Sequence, residues 1–169
     1  MTITLRSATE HDLMAVGALH QRSRVAAYSG FLPADALADP TPEAMGRYWV
    51  ERWVWERDTH RMTVAERGGR LAGFSHLGPD DEDDPATGLL NAIHLDPAEQ
   101  GRGVGRTLMV DALDAMRARG WRRAALWVLR GNTHARSFYE RGGWTPTGAE
   151  REEAIGSAQT PQLRYTRPL

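Results

Sequence analysis

The sequence predicts an α/β fold of the α+β type, a mixed and mostly antiparallel seven-stranded sheet with helices on both faces. Three observations predict it. The elements read in the order β-α-α-β-β-β-α-β-α-β-β. Gly68-Gly69 sits between two short apolar strands and reads as a hairpin turn. Ala124 to Leu129 is a continuous apolar run, as suits a strand buried on both faces.

Ile3 to Arg6 alternates and forms the first strand, after which Thr9 or Asp12 caps a helix through Leu13, Val16 and Leu19. Gly30 and Pro33 break that helix. Thr41-Pro42-Glu43 opens a second helix, with Pro42 at its first position, that runs through Tyr48, Trp49, Trp53 and Trp55. Met62 to Ala65 and Leu71 to Leu77 are the hairpin strands, and the acidic run Asp80 to Asp84 is a loop. Leu89 to Leu95 is the fourth strand. The helix from Gly103 to Arg119 carries Val104, Leu108, Ala112, Ala115 and Met116 on one side, and Gly120 ends it. After the 124–129 strand, Asn132 or Thr133 caps a short helix that reaches Arg141 and stops at Gly142-Gly143. Thr145 to Leu169 reads as a closing hairpin with a loop around Ile155 to Pro161.

At 169 residues the chain has the size of one domain, residues 1–169 without a linker or repeat. The absence of cysteine excludes disulfides, thiolate metal ligands and a cysteine nucleophile. It agrees with a cytoplasmic location, as does an N-terminus without the basic start and apolar run of a signal peptide. No segment has the length of a membrane span. With 21 basic and 22 acidic residues in balance, neither nucleic acid nor a membrane is an expected partner. His94-x-Asp96 is too sparse for a metal site, so no metal is expected. The sheet edge or the tail hairpin offers a face for a homodimer.

The segment Leu95-Asp-Pro-Ala-Glu-Gln-Gly-Arg-Gly-Val-Gly-Arg-Thr-Leu-Met109 carries the chemistry. It joins a strand to a helix through Gly101, Gly103 and Gly105, where small residues let backbone N–H groups approach a ligand and the helix dipole favours an anion. Arg102 and Arg106 add positive charge suited to a pyrophosphate. A P-loop lysine is missing, and Arg106 stands where a dinucleotide fingerprint needs a small residue. Further on, Asn132 and Tyr139 lie two helical turns apart on one face, with Arg136 between them. Tyr139 reads either as a ligand-facing group or as a half-buried core tyrosine, and Phe138 reads as core. Asn132 can cap its helix with one side-chain atom and bind with the other.

Gln100-x-x-Gly103-x-Gly105 and the segment Leu126 to Trp144 together resemble two motifs of the GNAT superfamily of N-acetyltransferases, and the element order is similar over essentially the whole chain. The resemblance implies the GNAT fold, acetyl-CoA as cofactor, and acetyl transfer to a primary amine by direct attack. It implies that Gln100, Gly101, Arg102, Gly103, Val104, Gly105 and Arg106 hold the pyrophosphate. Backbone groups of Ile93, His94 and Leu95 would then bond the pantetheine arm, and Asn132, Arg136 and Tyr139 would complete the cofactor site. The thioester would lie where two strands splay, with a backbone N–H near Ile93 to Leu95 stabilising the oxyanion.

An alkyl amine at pH 7 lies about 3.4 pKa units from its nucleophilic form, roughly 4.6 kcal/mol. Protonating a departing thiolate from a phenol is uphill by roughly 2 kcal/mol, so Tyr139 is expected mainly to hydrogen-bond the sulfur. Many members of the superfamily place a glutamate on the fourth or fifth strand, where this chain has Leu89 and Trp127. The base is therefore open: Asn91, on the Leu89 face by alternation, orders a water, and His94, His76, Glu51 and Glu56 are further candidates. Without that carboxylate a second reading also stands, an acyl-CoA binding or sensing protein that does not turn over. The segment Arg24 to Pro33 looks like a bacterial GNAT subgroup with an Ala-Tyr-x-Gly-x-Leu-Pro turn. Tyr28, Phe31, Tyr48, Trp49 and Trp53 either line a pocket for a small-molecule or peptide amine or pack helices on the sheet. The acidic loop hints at a cationic acceptor or is simply a solvated turn.

Overall fold

The computed structural model describes residues 1–169. Seven strands, β1 (Ile3–Ser7), β2 (Arg61–Arg67), β3 (Arg70–Pro79), β4 (Thr87–Leu95), β5 (Arg123–Leu129), β6 (Thr145–Ile155) and β7 (Ala158–Pro168), form one sheet in the order β1-β2-β3-β4-β5-β7-β6. All neighbours are antiparallel except β4 and β5. That parallel pair needs a crossover, supplied by α4 (Val104–Ala118). The other helices are α1 (Leu13–Tyr28), a single turn α2 (Ala34–Leu37), α3 (Pro42–Glu56) and α5 (Thr133–Arg141). None is long and apolar enough to cross a membrane.

Local chemistry sets these boundaries. Thr9 N donates to Asp12 Oδ2 at 2.7 Å in a capping box ahead of α1. Thr41 Oγ1 accepts from Ala44 N at 3.2 Å with Pro42 at the first position of α3. Gly120 closes α4 at φ 83°.

The sheet separates two cores. On one face α1 and α3 bury Val16, Leu19, Trp49, Val64 and Phe74. On the other, α4 and α5 cover Leu108, Met116, Leu126, Trp144 and Tyr165. Helices α1 and α3 meet backbone to backbone, since a Cβ on Gly17 would stand 2.2 Å from Gly46 N. Backbone cannot yield as a side chain does, so Gly17→Ala is expected to destabilise by about 1–3 kcal/mol, lowering Tm by about 5 °C in a thermal melt.

Two features position the site. Pairing of β4 with β5 runs only from Thr87–Leu90 against Arg123–Leu126, and beyond it the strands part. On the other side of β4, Leu90 pairs with Leu77 and Ala92 with His76, so Asn91 is an unpaired extra residue, a bulge that bends the strand where the split begins. Alternation is therefore broken at Asn91, and the expectation that it simply shares the face of Leu89 is corrected.

The tail also differs from expectation. The hairpin runs to Ile155 and resumes at Ala158, so its loop is Gly156-Ser157 rather than Ile155 to Pro161. Gly156 has φ 55°, as a tight turn demands. Pro161 is accommodated because its carbonyl accepts from Arg130 N just past the end of β5, so its nitrogen faces a position needing no donor. The acidic loop is no free solvated turn. Asp80 is buried against Arg164 at 2.9 Å, Asp81 reaches Arg164 at 3.3 Å and Arg151 at 2.8 Å, and Asp84 reaches Arg123 at 3.0 Å. Much of its charge is met within the protein, Asp83 alone having no ion-pair partner, which weakens the hint of a cationic acceptor.

Candidate active site in the split between β4 and β5

A cavity of about 940 Å³ occupies the split and reaches α1, α3, α5, β6 and the start of α4. At one end lies the glycine turn. Gly101 and Gly103 have φ of 73° and 85°, conformations that side chains disfavour, and a Cβ on either would meet open space. None of the backbone N–H groups from Gly101 to Arg106 donates to a protein acceptor. Six consecutive donors at a helix start, with the Arg106 side chain beside them on the cavity wall, fit a pyrophosphate. Gln100, Gly101, Gly103, Val104 and Gly105 line the same end. Arg102 does not: its Nε donates to Ala98 O at 3.3 Å and stands 3.9 Å from Glu99.

Ile93, His94 and Leu95 run along the cavity on the β4 edge that β5 has left, so their outward backbone groups are open to an extended ligand. Asn91 also lines the cavity, and its Nδ2 is buried without a protein partner. Opposite, Asn132 Oδ1 accepts from Ala135 N at 3.3 Å, which leaves its Nδ2 for a ligand. Tyr139 lines the cavity from the same face of α5, and its hydroxyl has no hydrogen bond within the protein. Burial, and next the nearby Tyr28, hold its phenol well above the ordinary pKa, so it stays protonated and a donor. Arg136 departs from the expected role. Its long side chain turns away to Tyr165 Oη at 3.1 Å and Arg130 O at 3.0 Å.

The far wall is α1, where His20, Ser23, Arg24 and Tyr28 fall on one helical stripe facing the cavity. Trp49 and Tyr48 join it from α3. Trp49 Nε1 donates to His20 Nδ1 at 3.0 Å, so neutral His20 carries its proton on Nε2. His94 lies 4.2 Å from His20, centroid to centroid, with Nδ1 2.9 Å from Ser23 Oγ. Burial, then the charge of Arg24, brings His94 down to about 4, and burial lowers His20 well below its usual value. Trp53 and Phe31 are not on the cavity wall. Trp53 packs against the α1/α3 core, and Phe31 lies under Gly131, where a Cβ would meet its ring at 2.4 Å. Of the base candidates, His76, Glu51 and Glu56 also lie off the wall, and Glu56 is engaged by Arg52 through two 2.9 Å bonds.

Sequence reasoning missed His20, Ser23, Arg24 and Glu153. The first three share the helical face of Tyr28, but they lie in an unbroken polar run, His20-Gln21-Arg22-Ser23-Arg24, in which spacing alone does not single them out. Glu153, on β6, had none, because only the tail pairing brings it to the cavity.

Buried His76 and partly buried His94 give a pH prediction. His76 is brought down to about 3 by burial, Arg52 and His60, alongside His94 at about 4. Below pH 6.5 the unfolded chain takes up protons that these neutral rings refuse, so stability is full above 6.5 and falls as pH drops towards 4. By pH 5 the loss is expected to be about 2 kcal/mol for His76 and less for His94, which the cavity opens to solvent, seen in urea unfolding at pH 7, 6 and 5. His76→Gln should flatten that slope.

A model of the acetyltransferase (GNAT) family matches residues 28–144. A mycothiol acetyltransferase of Beutenbergia cavernae is 44% identical over 72 residues, 43% of this chain and 24% of that protein. One from Catenulispora acidiphila is 36% identical over 104 residues, 60% of this chain and 32% of that protein. The matched stretches thus span only about a quarter to a third of these relatives. Among solved structures, the PaiA N-acetyltransferase of Thermoplasma acidophilum, in complex with coenzyme A, superposes over 100% of both chains with TM-score 0.82 at 19% identity. The ribosomal-protein-S18-alanine N-acetyltransferase of Escherichia coli covers 99% of this chain, which covers 94% of it, with TM-score 0.73 at 19% identity. These two likenesses are of fold.

Proposed function

The chain belongs to the acetyltransferase (GNAT) family, and on that premise we propose that it transfers acetyl from acetyl-CoA to a primary amine by direct attack. The observation that carries the reading is the convergence of the donor turn, the open edge of β4 and the unpartnered Tyr139 hydroxyl on one cavity. Acetyl-CoA bound there supplies a thioester whose C–S bond is exchanged for a C–N bond, the amine's proton ending on the released thiol.

The chain's own residues divide the work. The amides of Gly101 to Arg106 and the Arg106 side chain hold the pyrophosphate. Ile93, His94 and Leu95 hold the pantetheine arm as an added strand, and Asn132 bonds it from α5. An outward N–H of that β4 segment stabilises the oxyanion. Tyr139, kept protonated by burial, donates to the departing sulfur. Asn91 at the bulge orders a water that takes the amine's proton, whereas His94, brought down to about 4, is neutral near pH 7 but too weak a base to serve as the main acceptor.

Thiol release from acetyl-CoA over a panel of amines tests the reading. Amine-dependent turnover is expected, and Tyr139→Phe is expected to lower kcat by about 10- to 100-fold while acetyl-CoA affinity by calorimetry changes less than about threefold. Binding without turnover on any amine would favour the sensing protein. An unchanged kcat in Tyr139→Phe would remove Tyr139 from the chemistry.

A further inference from the structure

We propose that Arg24 anchors a carboxylate of the acceptor, so that the amine acetylated here belongs to a small amino acid. The inference rests on the acetyltransferase reading above and names its substrate class.

Arg24 is only 7% exposed, lines the cavity, and makes no hydrogen bond or ion pair within the protein. Its Nε is fully enclosed without an acceptor. A guanidinium cannot shed its charge, and an uncompensated buried cation costs several kcal/mol. The chain's other buried arginine, Arg164, is treated differently: Asp80, Asp81 and Glu82 surround it at 2.9, 3.3 and 3.5 Å. Elsewhere on the cavity wall, Arg52 is held by Glu56 and Arg151 by Asp81. Arg24 is thus a buried fork whose acceptor must come from the ligand, and a planar carboxylate matches it in charge and in shape.

That anion is not the pyrophosphate. Arg24 belongs to α1, which packs on the α1/α3 face of the sheet, whereas the glycine turn opens α4 on the opposite face. Its neighbours are those of the reacting centre. The charges of Arg24 and Glu153 both act on the phenol of Tyr28, and Tyr28 in turn acts on Tyr139. Glu153 also lines the cavity and has no ion-pair partner. An amino acid brings one charge for each: its carboxylate enters the fork of Arg24, and its ammonium is drawn towards Glu153 until it loses its proton and attacks. The imidazoles of His20 and His94, neutral at pH 7, leave the field of Arg24 uncompensated.

The test measures kcat/KM for α-amino acids beside their amides and their decarboxylated amines, with wild type, Arg24→Met and Arg24→Lys. Wild type is expected to prefer the free acid by at least about 100-fold. Arg24→Met should lose that preference, falling about 100-fold on the acid and less than about threefold on the amide, and Arg24→Lys should recover part of it. The Tm of ligand-free Arg24→Met should hold or rise, because a buried unpaired charge is removed, and an amino acid should raise Tm in wild type but not in this variant. A wild type that favours amides, an equal loss on acid and amide, or a Tm drop of 10 °C or more in Arg24→Met would overturn the assignment. So would turnover on no member of the panel. In that case acetyl-CoA calorimetry, run in parallel, decides separately whether the acetyltransferase reading survives.

Discussion

With aspartate in place of both Gly103 and Gly105, the folded protein is expected to bind acetyl-CoA at least about 100-fold more weakly. Each carboxylate would enter a turn whose N–H groups from Gly101 to Arg106 have no other acceptor. A negative charge about 5 Å from a phosphate charge is worth roughly 3 kcal/mol at an effective dielectric constant of 20, before screening by salt. Two such charges exceed the 2.7 kcal/mol that a 100-fold change requires, with about 1.4 kcal/mol for each factor of ten. The fold should survive, because a Cβ on Gly103 meets open space and one on Gly105 makes ordinary contact with Leu95 at 3.5 Å. The positive φ of Gly103 adds a modest strain, which aspartate tolerates better than most residues. Gly105→Ala separates the steric effect from the charge. Calorimetry with circular dichroism as the fold check decides the matter: unchanged affinity in a folded double variant would remove the phosphate role from the turn.

That turn was legible in the sequence because its chemistry is local. Positive φ at Gly101 and Gly103, the helix start at Val104 and the donors it frees all follow from one short segment. Asn132 and Tyr139 were legible for the same reason, since helical spacing puts both on the cavity side of α5. Arg136 has the same spacing and goes elsewhere. A side chain that long is placed by its partners, here Tyr165 and the Arg130 carbonyl, which arrive from distant parts of the chain. Aromatic density in α3 was equally ambiguous: Trp49 reaches the cavity and Trp53 does not, a matter of which face the core takes. The parting of β4 and β5 depends on register, and no pattern within either strand announces that their pairing stops at Leu90 and Leu126. The unpaired state of Arg24 lay furthest from view, because it depends on no acid from any surrounding element, Glu153 of the cavity wall included, coming within ion-pair distance of its guanidinium.

The acidic loop yields the second large effect. Asp80→Ala is expected to lower stability by about 3–5 kcal/mol and Tm by roughly 10 °C, the consequence of leaving a buried cation short of its closest partner. The side chains of Asp80 and Arg164 are 1% and 7% exposed, so water cannot replace the lost carboxylate. Asp81 and Glu82, more exposed and further from the guanidinium, compensate only in part. Replacing both partners, as Asp80→Leu with Arg164→Met, should recover much of the loss, because the desolvation of both charges disappears together. The effect should also reach the site. Trp127, on the cavity wall, donates its indole N–H to Asp81 at 3.2 Å, with the guanidinium of Arg151 4.2 Å and that of Arg164 5.4 Å from its ring centroid. Loosening this cluster frees one wall of the acceptor side without touching the glycine turn. Asp80→Ala should therefore raise KM for the amine several-fold while leaving acetyl-CoA affinity nearly unchanged. Urea unfolding and steady-state kinetics at temperatures well below the lowered Tm separate the two consequences, and a double variant no more stable than Asp80→Ala would show that charge pairing is not what the loop contributes.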